Sequence, residues 1–182
     1  MRKVLLFSII FLFTGLICFG YETIIFHFPD GENWEKAYYK KRGYEAILQY
    51  VPLGQTSENW KRTIIVHSYN HNGIPVRYFA QNEIRKMKRI NPTSEYQTLK
   101  LKENEALFTR CTEKYKDIQP QCEFLRVSQP HGGIVTIQYI NRNKDDFEKN
   151  YTLWLETVKG ARFYNSYYRD ERIFDKSIYF EL

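Results

Sequence analysis

Cysteine is scarce in this chain. There are three in 182 residues, and no two form a Cys-x-x-Cys pair. That spacing marks thioredoxin-like redox sites and zinc ribbons, so both are excluded on the motif. Several other signatures are missing too. The sequence holds no P-loop, no Gly-x-Gly-x-x-Gly, no His-Glu-x-x-His and no calcium loop. It also lacks Gly-x-Ser-x-Gly, the nucleophile elbow. Internal repeats, low-complexity tracts and Ser/Gly linkers are absent as well. A strong bias of charge is lacking: the formal net charge is +6, and +4 without Arg2 and Lys3, mildly basic beside a dedicated nucleic-acid binder. No nucleic-acid partner, cofactor or metal is therefore implied.

The N-terminus supplies the clearest positive signal. Arg2 and Lys3 precede an apolar core, Val4–Phe13, and a softer segment, Thr14–Gly20. A positive n-region, a compact apolar core and a small exit residue make a secretory signal peptide. The apolar run is short for a membrane span, which takes roughly 20 residues. Cleavage after Gly20 ranks first, an uncleaved anchor second and a lipoprotein at Cys18 third. A lipidated Cys follows a small residue, and here Ile17 stands in that place. The expected location is periplasmic or secreted. Residues 1–20 are then the signal peptide and 21–182 a single domain. Cleavage removes two of the positive charges, Arg2 and Lys3, and keeps all 15 tyrosines. Abundant Tyr, Phe, Ile and Leu indicate a folded chain.

Two cysteines would remain, Cys111 and Cys122. An even pair in an exported chain reads as a disulfide. In the chain-entropy model, a loop this small contributes about 2–3 kcal/mol.

Hydrophobic patterning gives the element order. Thr23–Phe28 reads as a strand, and Asn33 caps a short helix through Lys41 with Trp34 and Tyr38 on one face. Tyr44–Val51 and Arg62–Tyr69 read as strands, with one helical turn at Ser57–Lys61 between them. Pro75 suits a first helical position, and a helix runs from it to Ile90. Val76, Phe79, Ala80, Ile84, Met87 and Ile90 form its apolar face. Tyr96–Lys102, Ala106–Glu113, Cys122–Ser128 and Ile134–Ile140 read as a four-strand meander. A last helix follows, capped by Asn143, with Phe147, Tyr151, Trp154, Leu155 and Val158 in one stripe and Gly160 at its end. Beyond Gly160, strand and helix stay equally open. The expected class is α+β: a mainly antiparallel sheet with helices packed on it and a C-terminal amphipathic helix.

The segment Tyr50–Trp60 has a strand ending in a Pro52-x-Gly54 turn, then Asn59-Trp60 and the strand at Ile64. It resembles uncharacterised exported bacterial domains. The late strand Ile134–Ile140 and the Trp154-bearing helix resemble the end of the PsbP-like α/β fold. These resemblances imply a fold and assign no catalytic residue.

Candidate chemistry is sparse. His67 and His71 have the four-residue spacing of a helical metal pair. The β-branched run places His67 on a strand and the Asn70–Gly73 cluster places His71 in a turn, so the pair is expected to bind no metal. Pro130–Gly133 resembles an oxyanion loop but stands without a nucleophile elbow, so a hairpin turn is expected. Arg85, Lys88 and Arg89 lie at i, i+3 and i+4 on the helix after Pro75. The plain reading is a solvated helix face with cations near a helix C-terminus. The functional one is a face that meets an acidic protein or an anionic envelope component, including a membrane surface. Tyr164, Tyr167 and Tyr168 are further candidates for a partner contact. The function expected is binding or interaction at the envelope or outside the cell, with no catalytic site. The alternative is a small exported hydrolase using His67, His131 and Asp117.

Overall fold

The structure is a computed structural model, and it describes residues 22–29, 31, 33–43, 45–69, 73–130, 133–165 and 178–181. The expected signal peptide lies outside these residues, as do His71, His131, Tyr167 and Tyr168.

Ten strands and three helices are described. In order they are β1 (Glu22–Phe26), β2 (Trp34–Arg42), β3 (Glu45–Pro52), β4 (Arg62–Tyr69) and α1 (Val76–Ile90). The strands β5 (Glu95–Leu101), β6 (Glu105–Thr112), β7 (Gln121–Ser128) and β8 (Ile134–Asn141) follow. The chain continues through α2 (Lys144–Lys149), α3 (Tyr151–Gly160), β9 (Arg162–Asn165) and β10 (Ile178–Glu181). A seven-stranded sheet has the order β2-β3-β4-β8-β7-β6-β5, and every pairing in it is antiparallel. A smaller sheet places β1 between β10 and β9. The mainly antiparallel α+β class is thus the observed one.

Four local expectations are corrected. The segment after Asn33 is a strand, β2, and not a helix. Its Trp34 and Tyr38 are four apart, which imitates a helical face. Gly43, at φ 61°, turns the chain straight back, and β2 pairs along β3 as a hairpin. No helical turn forms at Ser57–Lys61. There the Asn59 N–H donates to Thr56 Oγ1 (3.0 Å) and the Lys61 N–H to Gln55 Oε1 (2.7 Å). Side chains thus satisfy the donors that a helix would have used. The last helical stretch is broken at Asn150, whose amide donates to both Asp146 Oδ1 (2.9 Å) and Asp146 O (3.1 Å). Pro75 precedes α1 as its cap, one position before the helix proper.

Alternation along the strands gives the large sheet two faces. One face packs Leu48, Val66, Leu107, Phe124, Ile137 and Tyr139 against Phe147 of α2, Trp154 and Val158 of α3 and Ile24 and Phe26 of β1. Trp154 stacks on Tyr139 at 4.0 Å and meets Trp34 edge-on at 5.5 Å. Asn143 caps α2 by accepting from the Asp146 N–H at 3.0 Å. At the far end Arg126 donates to Val158 O, Lys159 O and Ala161 O at 2.7–3.0 Å. Those carbonyls have no intrahelical partner, so the cation satisfies the end of α3 and opposes its dipole.

The other face carries α1. Val76, Phe79 and Ala80 seat on Ala106, Phe108, Leu125, Val127 and Ile134. Both edge strands, β2 and β5, contain a register irregularity, and β2 is rich in lysine. Bulges and lysines on an edge discourage pairing with another chain. Cys111 and Cys122 stand directly opposite on β6 and β7 and are bonded, with S–S 2.00 Å.

Candidate binding surface

Helix α1 is built to be held by one side. Its buried residues are Val76, Phe79 and Ala80, with Met87 on the same side and Ile84 at its border, both half-buried. At 100° per residue, that places Tyr78, Gln81, Arg85, Lys88 and Arg89 away from the sheet and Arg77 on the flank, about 20° beyond Ile84. All six are exposed, Tyr78 at 55%. The three cations expected to face outward, Arg85, Lys88 and Arg89, all lie on this outer face. Arg77 and Tyr78 extend the face by two turns toward the N-terminus. They stand apart from the contiguous charge run, so the run alone does not reveal them.

No carboxylate pairs with Arg77, Arg85, Lys88 or Arg89 among the described residues. The one acid of α1, Glu83, turns toward the sheet and lies 3.9 Å from Lys86. Lys88 and Arg89 sit in the last turn, where the helix dipole favours them. Arg77 sits in the first turn, which has no acidic residue. There the dipole opposes a cation. Helix stability therefore does not account for the stripe as a whole.

The sheet face that carries α1 also holds a buried ion pair. Arg110 on β6 and Glu123 on β7 pair directly across the strands, 2% and 1% exposed. Arg110 Nη2 donates to Glu123 Oε2, and the Gln138 amide donates to the same oxygen at 2.8 Å. Burial pushes the Glu123 carboxyl up, against the pull of Arg110 and Gln138. The Arg110 guanidinium lies 5.2 Å from the centre of the Tyr96 ring. Among the described residues, Glu123 Oε1, Arg110 Nε and Tyr96 Oη find no hydrogen-bond partner.

The hydrolase candidates are not brought together. His67 lies on β4 opposite Thr136, stacked on Tyr69 at 3.8 Å. Burial lowers its pKa; Glu45 opposes this and Lys86 adds to it. Asp117 is exposed in the loop between β6 and β7. That loop leaves the sheet beyond Cys122, which pairs with Asn141, while His67 pairs with Thr136. Five residues along β8 separate the two levels, about 17 Å of strand. His131 lies outside the described residues. Tyr164 is on β9, opposite Thr23 of β1.

A cleft of about 390 Å³ opens near the disulfide, lined by Cys111, Cys122, Pro120, Arg142, Lys144 and their neighbours. Arg142 packs 3.8 Å from the Trp60 ring centre and donates to Trp60 O at 2.9 Å, so it serves the β3–β4 loop. Among the described residues no group of three His, Cys, Asp or Glu side chains is placed to hold a metal ion. Nor is any helix among them long and apolar enough to cross a membrane.

No curated protein and no solved structure matches this chain. A protein-family model does match, over residues 25–162, from the last residues of β1 to the start of β9. By that match, which spans more than half of its length, the chain belongs to an uncharacterised protein family.

Proposed function

We propose that this is an exported binding protein that meets an acidic surface through the outer face of α1. The observation that carries the reading is the unpaired row of Arg85, Lys88 and Arg89, exposed on a helix whose other side is fixed to the sheet. Three cations within one turn and a half repel each other. An acidic surface laid against them removes that cost and gains the attraction. Export is supported by the Arg2-Lys3 n-region with its apolar core and by the Cys111–Cys122 bond, which suits an oxidising compartment. The PsbP-like reading of the fold belongs here as well. It is supported by the order of β8 before a Trp154-bearing helix.

Soluble poly-glutamate is a defined acidic probe for the purified protein. Binding is expected at low salt and should weaken as salt screens the contact. Replacing Arg85, Lys88 and Arg89 together by Gln should weaken binding at least tenfold and flatten the salt dependence. Equal binding by parent and triple variant at low salt would show a merely solvated face. N-terminal sequencing of the exported protein should begin near Tyr21; a cytosolic full-length chain would refute export.

A further inference from the structure

We infer that the acidic surface met by α1 is a bilayer of anionic phospholipid, engaged along the whole helix from Arg77 to Arg89. This rests on the reading of α1 as the binding face and names its partner. Four observations favour lipid over an acidic peptide. The first is length: twelve residues separate Arg77 from Arg89, about 18 Å of helix axis. The second is shape. The outer face of a helix seated on a sheet is convex, and a convex row suits a plane of headgroups better than a peptide, which docks in a groove.

The third is composition. Exposed Tyr78 and Gln81 lie between Arg77 and the Arg85, Lys88, Arg89 group, and the one acid of the helix, Glu83, is on its inner side. Guanidinium groups bind phosphate oxygens in pairs, and tyrosine partitions to the headgroup level of a bilayer. The fourth is anchoring. Val76, Phe79 and Ala80 are already buried against β6, β7 and β8. The apolar side of α1 is thus committed to the core and does not insert. Contact is therefore made by charge and by Tyr78, without loss of the fold. Arg77 gives the sharpest sign. It opposes the helix dipole where it stands, and a phosphate plane touching both ends of the helix supplies its counter-charge.

The test uses the purified protein and sedimenting vesicles. One set is equimolar phosphatidylglycerol and phosphatidylcholine, and the other is phosphatidylcholine alone. Binding is expected only to the anionic set and should fall with salt. Each cation changed to Gln should weaken binding about fivefold, Arg77→Gln as much as Arg89→Gln. Tyr78→Trp should shift its emission to the blue on anionic vesicles. A variant with Arg77, Arg85 and Arg89 all changed to Lys should keep most of the binding, which separates lost charge from a damaged fold.

Binding to poly-glutamate without binding to anionic vesicles would overturn the lipid assignment and leave the binding reading standing. Failure with both probes would overturn both. Vesicle binding that ignores Arg77→Gln and Tyr78→Ala would refute engagement along the whole helix.

Discussion

The two faces of the seven-stranded sheet are made differently. One is covered by α2, α3 and β1 and has an aromatic and aliphatic centre, Trp154, Tyr139 and Phe124, with Arg126 and Asn141 toward its ends. The other is covered by α1 and also holds an Arg–Glu pair, Gln138 and Tyr96. The first face gains mainly by apolar burial, and its polar Arg126 and Asn141 are hydrogen-bonded to the helices that cover it or to their flanks. Tyr139 and Trp154 are both essentially inaccessible, and each large apolar side chain buried adds about 1.5–3 kcal/mol. The second face loses part of that gain to desolvating charges, which return less than apolar packing of equal volume. It also carries the one helix whose outer side is a row of cations. The aromatic face explains why the chain folds; the α1 face has features that folding alone does not require.

The largest effects should come from breaking the centre of either face, beginning with the aromatic one. Trp154→Ala removes the ring stacked on Tyr139 and set against Trp34. It should cost about 3–5 kcal/mol in denaturant unfolding. A cost under about 1 kcal/mol would mean that this face is not the main core.

On the other face, Glu123→Leu leaves Arg110 buried without its partner and should cost about 3–5 kcal/mol. Adding Arg110→Met should restore most of that loss, because the pair is replaced by apolar packing. A double variant as unstable as the single one would show that the pair stabilises the sheet outright. Removing the disulfide with Cys111→Ser and Cys122→Ser should cost about 2–3 kcal/mol, if loop entropy governs. The same unfolding curves measure it. Thiol counting of the denatured, unreduced protein should find neither cysteine free.

A smaller effect is expected from pH. Glu105 is partly buried, which raises its pKa, but its bonds with Lys100 and Arg126 outweigh this and lower it. A carboxyl held lower in the folded state releases its proton more readily there. Its contribution is present above the ordinary carboxylate range and is lost as pH falls from that range through the lower folded value. Thermal midpoints should therefore drop on acidification below the mid-fours, and Glu105→Gln should flatten that slope. An unchanged slope would assign the acid sensitivity elsewhere.

Much of this architecture is legible in the chain. The β-branched runs of β3, β4 and β8 and the apolar period of α1 are strong local signals. β2 is deceptive because Trp34 and Tyr38 mimic a helical face, while the pairing that makes it a strand comes from β3 beyond Gly43. The Asn150 break is hidden because Tyr151, Trp154 and Val158 keep helical spacing with Phe147 across it. The buried ion pair has one indirect signal. With Cys111 opposite Cys122, antiparallel register forces Arg110 opposite Glu123. The cationic face is legible at Arg85, Lys88 and Arg89. Arg77 and Tyr78 need the helix built around them.

The most direct test takes one variant and two readings. Arg77, Arg85, Lys88 and Arg89 are changed together to Gln. Thermal unfolding and sedimentation with equimolar phosphatidylglycerol and phosphatidylcholine vesicles are measured on the same preparation. If the inner side of α1 makes the fold and the outer side makes the contact, the unfolding midpoint stays level or rises as repulsion is relieved, and vesicle binding disappears. A lowered midpoint would show that the cations serve the fold, and undiminished binding would show that the contact lies elsewhere.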